Sequence, residues 1–176
     1  PAINEGIQLL QSLTESKRLV VCDFPYYVDD LSKVIAKLKE RGNVGAIFID
    51  YIQKIKYKGK SFTRQLELQK ISETILETAK FYSVPILLGA QFGRGNTKSE
   101  MLRLDNLREA GDIENDAKLV LGIWNEAKEK LEGKGERCMG RTVDLDFVVL
   151  KNRNGPSNQT ATLSFDRPLS TLKEKS

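Results

Sequence analysis

Hydrophobic residues along this chain follow two kinds of pattern, one typical of helices and one typical of strands. Near residues 3–13, 28–38 and 62–82, apolar side chains recur every three or four positions, which predicts three amphipathic helices. Gly42, placed just past the second of these, is a typical helix terminator. A fourth, shorter helix is expected within residues 107–116.

Short runs of apolar and β-branched residues predict the strands. Two of them, "VGAIFID" (44–50) and "VPILLGA" (84–90), are continuously apolar, as expected of strands that are buried on both faces. The polar stretch 93–100 is expected to be a flexible loop, and the charged stretch 126–141 a hairpin tip. Further strands are expected at 18–24, 117–124, 142–151 and 160–165.

Strands and helices alternate over the first part of the chain, and strands follow one another over the last part. This order predicts an α/β fold in which helices flank a mostly parallel sheet. Neither a repeat nor a linker divides the sequence, so residues 1–176 are expected to form one domain. Ligands of such sheets bind at the carboxyl ends of the strands, so the residues that end the strands are the first candidates for function.

Composition and charge narrow the class of protein without deciding its function. The chain is 40% hydrophobic and 30% charged with a net charge of +4, as in soluble globular proteins that are able to bind a polyanion. It has no histidine, and Cys22 and Cys138 lack metal-ligand spacing, which excludes histidine-based catalysis and the common zinc sites. No apolar run has the length of a membrane span, no signal peptide opens the sequence, and a reducing cytoplasmic compartment is expected.

Asp50 is a candidate functional residue because it directly follows an apolar strand. A carboxylate in that place either caps the next turn or serves as a Walker B aspartate. In the second role it holds magnesium through the water shell of the metal, while the metal bridges nucleotide phosphates. The position of Asp50 by itself leaves both interpretations open.

Four segments together resemble the C-terminal ATPase domain of the DnaB-family replicative DNA helicases. "IFIDYIQKI" (47–55) resembles the second helicase motif of that family, and "LLGAQFGR" (87–94) resembles the third. "NLREAGDIENDAKLV" (106–120) is similar to a Leu-Arg-Glu segment of the family, and "LKNRNGP" (150–156) to its fourth motif. The order and spacing fit over nearly the whole chain. The last two segments are specific to the family, whereas the first two also occur in other RecA-like ATPases.

The resemblance implies a RecA-like fold and a site for ATP and Mg²⁺ between the subunits of a ring. It implies that Asp50 holds hydrated magnesium and that Gln91 senses the terminal phosphate. It further implies that Arg153 is an arginine finger for the nucleotide of the neighbouring subunit, with Lys151 beside it. The plain alternatives are a loop-capping side chain for Gln91 and solvated cations at a strand end for Lys151 and Arg153.

The same resemblance implies that Arg108, Glu109 and Gly111 line the central channel of a hexamer and contact single-stranded DNA. Arg108 can pair with phosphate, and Gly111 allows close approach of a backbone. Glu109 is the weakest of the three, because a carboxylate near phosphate helps only by orienting a cation or by bonding to sugar. The alternative is a helix start with a surface ion pair. The basic run 56–64 is expected to be a solvated loop, with DNA contact as the second interpretation.

Several positions depart from the family pattern. The family usually has serine before the sensor glutamine and asparagine two residues after it, where this chain has Ala90 and Gly93. Lys54 replaces an apolar residue, and Lys118 replaces an acidic one. These departures indicate a divergent member of the family, such as one from a phage or a thermophile.

The sequence contains no G-x-x-x-x-G-K-[ST] phosphate-binding loop. "GKS" (59–61) follows the Walker B strand and lacks a glycine five positions earlier, so we interpret it as part of the basic loop. In the family, the true loop and a catalytic glutamate precede the segments found here. We therefore expect a P-loop NTPase core missing its phosphate-loop strand, inactive towards ATP by itself. Its exposed strand edges would pair with another copy or a separate chain, or the sheet would rearrange.

The leading hypothesis is part of a cytoplasmic, hexameric helicase that unwinds duplex DNA 5′-to-3′ using ATP. Single-stranded DNA, a primase and a helicase loader are the expected partners. A second hypothesis is a catalytically inactive RecA-like module that binds single-stranded DNA or a replication partner. A third, a recombinase-like or clock-type ATPase, shares the generic motifs but should lack the "LREAG" and "KNRNGP" pair.

Overall fold

The computed structural model describes residues 2–22, 27–60, 63–91, 102, 111–125 and 140–175. The helices in these ranges are α1 (Ala2–Glu15), α2 (Leu31–Arg41), α3 (Arg64–Tyr82) and α4 (Gly111–Asp116). The strands are β1 (Ile47–Ile49), β2 (Ile86–Leu88), β3 (Leu119–Trp124), β4 (Thr142–Asn152), β5 (Thr160–Asp166) and β6 (Thr171–Glu174). Among the described helices, none combines the length and apolar character needed to span a membrane.

Helix α3 forms the centre of the hydrophobic core. Its first turn is capped by the Thr63 hydroxyl, which accepts a hydrogen bond of 3.2 Å from the backbone nitrogen of Leu66. Ser83 ends the helix in the left-handed conformation, with its amide bonded to carbonyls of the last turn. One face of α3 is buried in a cluster that it shares with two turns and α4: Val28, Ile52, Ile55, Leu68, Ile71, Ile75 and Ile113.

Strands β1 and β2 form a parallel pair, as the sequence predicted. The pairing aligns Ile47 with Ile86 and Ile49 with Leu88. The prediction that both strands are buried on two faces is wrong, since Phe48 is 75% and Leu87 48% exposed. Alternate side chains of a strand point to opposite faces, and only the Ile49, Ile86 and Leu88 side packs against the core. The side that carries Phe48 and Leu87 is only partly covered by the described residues.

The strand predicted at 18–24 is wrong for its described part, because residues 19–22 have no strand pairing. Residues 17–22 and β1 line a common cleft of about 860 Å³, and among the described residues no backbone hydrogen bond joins them. Val20 and Val21 are exposed. A β-branched run predicts a strand only where a partner strand lies within hydrogen-bonding distance, and no described strand does so here.

The remaining strands form an antiparallel sheet in the order β3-β4-β5-β6. The expected mostly parallel sheet therefore differs from the described strands, among which only β1 and β2 pair in parallel. Residues 153–159 and 167–170 join consecutive strands, and connections this short allow antiparallel pairing only. Trp124, at the end of β3, is buried.

Candidate functional site

Asp50 and Gln91 lie at the same edge of the parallel pair. Asp50 directly follows β1, and Gln91 comes three residues after the end of β2. The hydrogen bonding continues beyond the strands: the amide of Gly89 donates to the carbonyl of Ile49, and the amide of Ile52 donates to the carbonyl of Gly89, each at 2.9 Å. This continued pairing fixes the backbone on both sides of the Asp50 carboxylate.

Gly89 leaves space beside that carboxylate. A Cβ atom built on Gly89 would lie 3.6 Å from Oδ1 of Asp50 and 3.4 Å from both the carbonyl oxygen of Ile49 and the Cβ of Tyr51. These are ordinary contact distances, so the missing side chain keeps the surroundings of Asp50 open without a large cavity. A larger residue in place of Gly89 would fill the space next to Oδ1.

The oxygen atoms at this edge fit a hydrated magnesium ion. Mg²⁺ prefers hard oxygen ligands and keeps several of its waters, so it is usually bound by one or two carboxylates together with substrate phosphates. Asp50 supplies one carboxylate and Gln91 an amide oxygen at the end of the neighbouring strand. Among the described residues, no group of three or more histidines, cysteines or acids lies together. This donor set suits a magnesium ion completed by water and phosphate rather than a fully protein-bound metal.

Gln53 joins the two sides of the site and was missed by the sequence reasoning. Its Nε2 donates to the backbone carbonyl of Gln91 at 3.4 Å. Its own carbonyl accepts a 2.9 Å bond from Arg64, whose guanidinium also forms a 2.6 Å ion pair with Glu67. The available signal was the place of Gln53 in the same motif, three residues after Asp50.

Lys151 and Arg153 both reach the carboxyl end of α4. The ammonium of Lys151 donates to the carbonyls of Glu114 and Asn115, and the guanidinium of Arg153 donates to that of Asn115. The last carbonyls of a helix lack partners within the helix and carry its negative dipole end, so cations are favourable there. These backbone acceptors were not predicted, because nothing in the spacing of the two motifs indicates a direct contact.

Helix α4 is also anchored to α3. Asp116 accepts a 2.6 Å hydrogen bond from the buried hydroxyl of Ser72, and Ile113 lies in the core cluster. Gly111 is the first residue of α4, whereas Arg108 and Glu109 lie outside the described residues. The helix therefore connects the predicted DNA-binding segment with both α3 and the strand that carries Lys151.

The basic run after β1 is partly engaged within the chain. Lys58 forms a 2.5 Å ion pair with Asp30, and its amide donates to Asp29 at 2.9 Å. Hydrogen bonds from Lys58 and then Lys33 lower the pKa of Asp30 below its ordinary value, and the bond to Asp30 raises the pKa of Lys58. Together with the ion pair of Arg64, these contacts give two cations of the run a structural role that the sequence did not predict.

Comparisons with known proteins match the chain along most of its length. The family model of the DnaB-like helicase C terminal domain matches residues 3–174. The replicative DNA helicase DnaB of Mycoplasma genitalium is 30% identical over an alignment of 159 residues that covers 86% of this chain and 34% of that protein. The replicative DNA helicase DnaB of Leifsonia xyli is 31% identical over an alignment of 153 residues that covers 81% of this chain and 32% of that protein. The chain spans about a third of the length of these relatives.

Two solved structures share the fold. One, an ATPase domain, superposes with a TM-score of 0.70 at 19% identity, covering 86% of this chain and 52% of that one. A DnaB-like replicative helicase, studied with its interactions with primase, gives the same TM-score and identity over 86% of this chain and 35% of that one. The predicted α/β, RecA-like class is thereby confirmed. With the family model matched over residues 3–174, the chain belongs to the family of DnaB-like helicase C-terminal domains.

Proposed function

We propose that this chain is part of a hexameric replicative DNA helicase that unwinds duplex DNA 5′-to-3′ by hydrolysing ATP at its subunit interfaces. The observation that carries the proposal is the common edge of Asp50 and Gln91, held by continued pairing beyond two parallel strands in a chain of this family. The relatives are replicative helicases, which favours this function over an inactive RecA-like module and over a recombinase-like ATPase.

In this proposal Asp50 holds a hydrated Mg²⁺ through its waters. Bound magnesium supplies positive charge where negative charge develops on the transferred phosphoryl group. Gln91 hydrogen-bonds the terminal phosphate, so its contact exists with ATP and is lost with ADP. Residues 1–176 contain no phosphate-binding loop, and we expect no ATP turnover from these residues in isolation.

Arg153 acts on the nucleotide of the neighbouring subunit, and Lys151 lies beside it. To reach that nucleotide, Arg153 exchanges its bond to the Asn115 carbonyl for phosphate oxygens. A guanidinium is suited to this step because its planar fork of donors matches phosphate oxygens. Such a residue stabilises the charge that develops in the transition state and contributes little to binding of the ground state.

The proposed DNA contacts come from the segment that ends in α4. Arg108 pairs with phosphate, the backbone at Gly111 approaches the strand closely, and Glu109 orients a cation or bonds to sugar. Backbone contacts of this kind carry no direct sequence information, which suits a motor that moves along any single strand. We further propose that the protein is cytoplasmic and that its partners include a primase and a helicase loader.

The test uses the full-length protein that contains this chain. Forked DNA with a 5′ tail should be unwound with ATP and Mg²⁺, whereas a fork with only a 3′ tail should not. Asp50→Asn should abolish unwinding and ATP hydrolysis, because it removes the charge that holds the metal. Asp144→Asn is the matched control, since Asp144 is an exposed acid on β4 that pairs with Lys175. Equal activity of Asp50→Asn and Asp144→Asn, or unwinding without ATP, would contradict the proposal.

A further inference from the structure

We infer that Gln53 is a positioning residue that sets the place of Gln91 through its main chain. The inference rests on the proposed function, because it concerns how the terminal phosphate of ATP is sensed. It begins from the side-chain amide of Gln53, whose Nε2 lies 3.4 Å from the backbone carbonyl oxygen of Gln91. Hydrogen bonds at catalytic sites are often long before the nucleotide binds and shorten in the complex.

Gln53 projects from a rigid base. It is the middle residue of the 3₁₀ turn Ile52–Lys54, in which the amide of Lys54 donates to Tyr51 and that of Ile55 to Ile52. Ile52 and Ile55 are buried in the core cluster against α3. A turn held on both sides by buried side chains has little freedom to shift, so the amide of Gln53 starts from a fixed point.

A second tie holds the turn from outside the core. The carbonyl of Gln53 accepts a 2.9 Å bond from Arg64, and Arg64 is paired with Glu67 in the first turn of α3. The backbone of Gln53 is therefore fixed by α3, while its side chain reaches the end of β2. Gln91 itself is exposed and lies beyond the last paired residue of β2, so strand pairing does not fix its backbone.

The orientation of the Gln53 amide is decided by Gln91. Its Oε1 is buried and has no hydrogen-bond partner within the part of the chain that the structure describes. Burying an acceptor without a hydrogen-bond partner costs free energy. Because Oε1 has no such partner, a hydrogen bond to Oε1 is not what holds the amide in this orientation. Turning the amide over would bring Oε1 against the carbonyl oxygen of Gln91, which is repulsive. The side chain is thus held to donate to Gln91.

A displacement of Gln91 would matter because a sensor works through short hydrogen bonds of fixed geometry. Loss of the Gln53 contact would release the carbonyl of Gln91 and let its side chain start from a different place. A misplacement of about 1 Å at a reacting group lowers rates by on the order of 100-fold. The predicted effect is therefore on turnover, with nucleotide binding retained by the phosphate-holding groups.

The variant that separates positioning from structure is Gln53→Met. Methionine has nearly the same length, removes the donor to Gln91 and also removes the unpartnered acceptor. Stability should therefore stay the same or rise, because a buried unsatisfied oxygen is lost. Turnover of the full-length enzyme should fall by on the order of 10- to 100-fold, with KM for ATP changed by less than about threefold. Gln65→Met, at an exposed position in the first turn of α3, is the matched control and should change neither.

A double variant tests whether Gln53 acts through Gln91. Once Gln91→Ala has removed the sensor side chain, adding Gln53→Met should lower turnover no further, since coupled residues are non-additive. Independent, multiplicative losses would overturn the inference, as would unchanged turnover in Gln53→Met. A lower unfolding midpoint of Gln53→Met would also overturn it and make Gln53 a structural residue. An inactive wild-type enzyme would instead overturn the proposed function, which keeps the two failures apart.

Discussion

Gly89 and Asp50 are neighbours across the parallel pair, and a Cβ atom on Gly89 would come to 3.6 Å from Oδ1 of Asp50. Because this distance is an ordinary contact, a single methyl group fits without moving the carboxylate. The carbonyl oxygen of Ile49, at 3.4 Å from the same point, closes the space on the other side. The size of the residue at position 89 thus limits how freely Asp50 can be approached.

Substitution of Gly89 should depend on size. Gly89→Ala should keep the stability and the magnesium-dependent ATPase activity of the full-length protein close to wild type. Gly89→Val adds branched atoms towards Asp50 and Ile49, and overpacking of this kind typically costs ~1–3 kcal/mol. If strain of this size displaces Asp50 and raises the reaction barrier, turnover should fall by on the order of tenfold. Steady-state ATPase assays over a range of magnesium concentrations check this, and equal activity of the two variants would contradict it.

Arg153→Ala in the full-length enzyme should lower turnover by on the order of 10³-fold or more while nucleotide affinity changes little, because an arginine finger acts on transition-state charge. Turnover is measured by phosphate release, and affinity by a fluorescent nucleotide. If affinity falls as much as turnover, Arg153 contributes to ground-state binding instead.

A mixing experiment asks whether Arg153 acts in the neighbouring subunit. Rings assembled from Arg153→Ala and Asp50→Asn subunits contain interfaces that receive Asp50 from one subunit and Arg153 from the next. Such interfaces have both intact groups, so partial recovery of ATPase activity is expected at intermediate mixing ratios. The absence of recovery at every ratio would place Arg153 in its own subunit's site or outside the reaction.

Lys151→Met should loosen α4 locally. The variant removes the ammonium that donates to the carbonyls of Glu114 and Asn115 but keeps most of the side-chain length. A hydrogen bond from a charged donor contributes ~1.5–3 kcal/mol, so backbone amides near Ala117 should exchange at least about tenfold faster. Hydrogen exchange with mass spectrometry measures this in the full-length protein. Lys175→Met, which removes an exposed ion pair with Asp144, should leave the exchange of α4 unchanged.

Arg108→Ala should weaken binding of single-stranded DNA across all sequences and reduce the dependence of binding on salt. A phosphate contact releases about 0.7 counterions per charge from a single strand, so the slope of log K against log salt should fall by about 0.7. Fluorescence anisotropy of the assembled full-length protein with unrelated oligonucleotides gives both quantities. An unchanged affinity and slope would remove Arg108 from the DNA-binding surface.

Lys58→Met should raise the pKa of Asp30 towards its ordinary value, since the hydrogen bond from Lys58 is the largest cause of the lowered pKa. An acid with a lowered pKa in the folded state stabilises the fold at neutral pH. That contribution is lost as the pH falls through the lowered pKa, below about 4. NMR titration of the Asp30 carboxyl carbon checks the direction, and Lys33→Met, which removes the second cause, should give a smaller rise. A pKa of Asp30 that stays low in Lys58→Met would contradict the assignment.

The sequence predicted the parts of the site that follow from local pattern. Asp50 and Gln91 both end continuous apolar runs, and parallel strands bring their carboxyl ends to one edge, so the pairing of these residues follows from two segments read separately. The contact between Gln53 and Gln91 does not follow in the same way. It depends on a 3₁₀ turn that points one side chain towards a carbonyl of the next strand.

The sequence was less informative where an element depends on a distant partner. Val20 and Val21 belong to a β-branched run, yet residues 19–22 form no strand because no described strand lies beside them. Phe48 and Leu87 show the same limit, since an apolar run alone does not tell whether one face or two are covered. In the last part of the chain, short connections make consecutive strands antiparallel. The prediction used only the order of strands and helices and did not consider the length of these connections.

The arrangement of β3 to β6 has a consequence for how the molecule folds. Strands β4 and β5 each pair with the next strand in sequence across a short connection, so these contacts close small loops at low entropic cost. The pairing of β1 with β2 spans the whole of α3 and must wait for a much larger segment to order. We expect the antiparallel sheet that contains Lys151 to form before the edge that carries Asp50. The later part of this sequence would then fold before the earlier part.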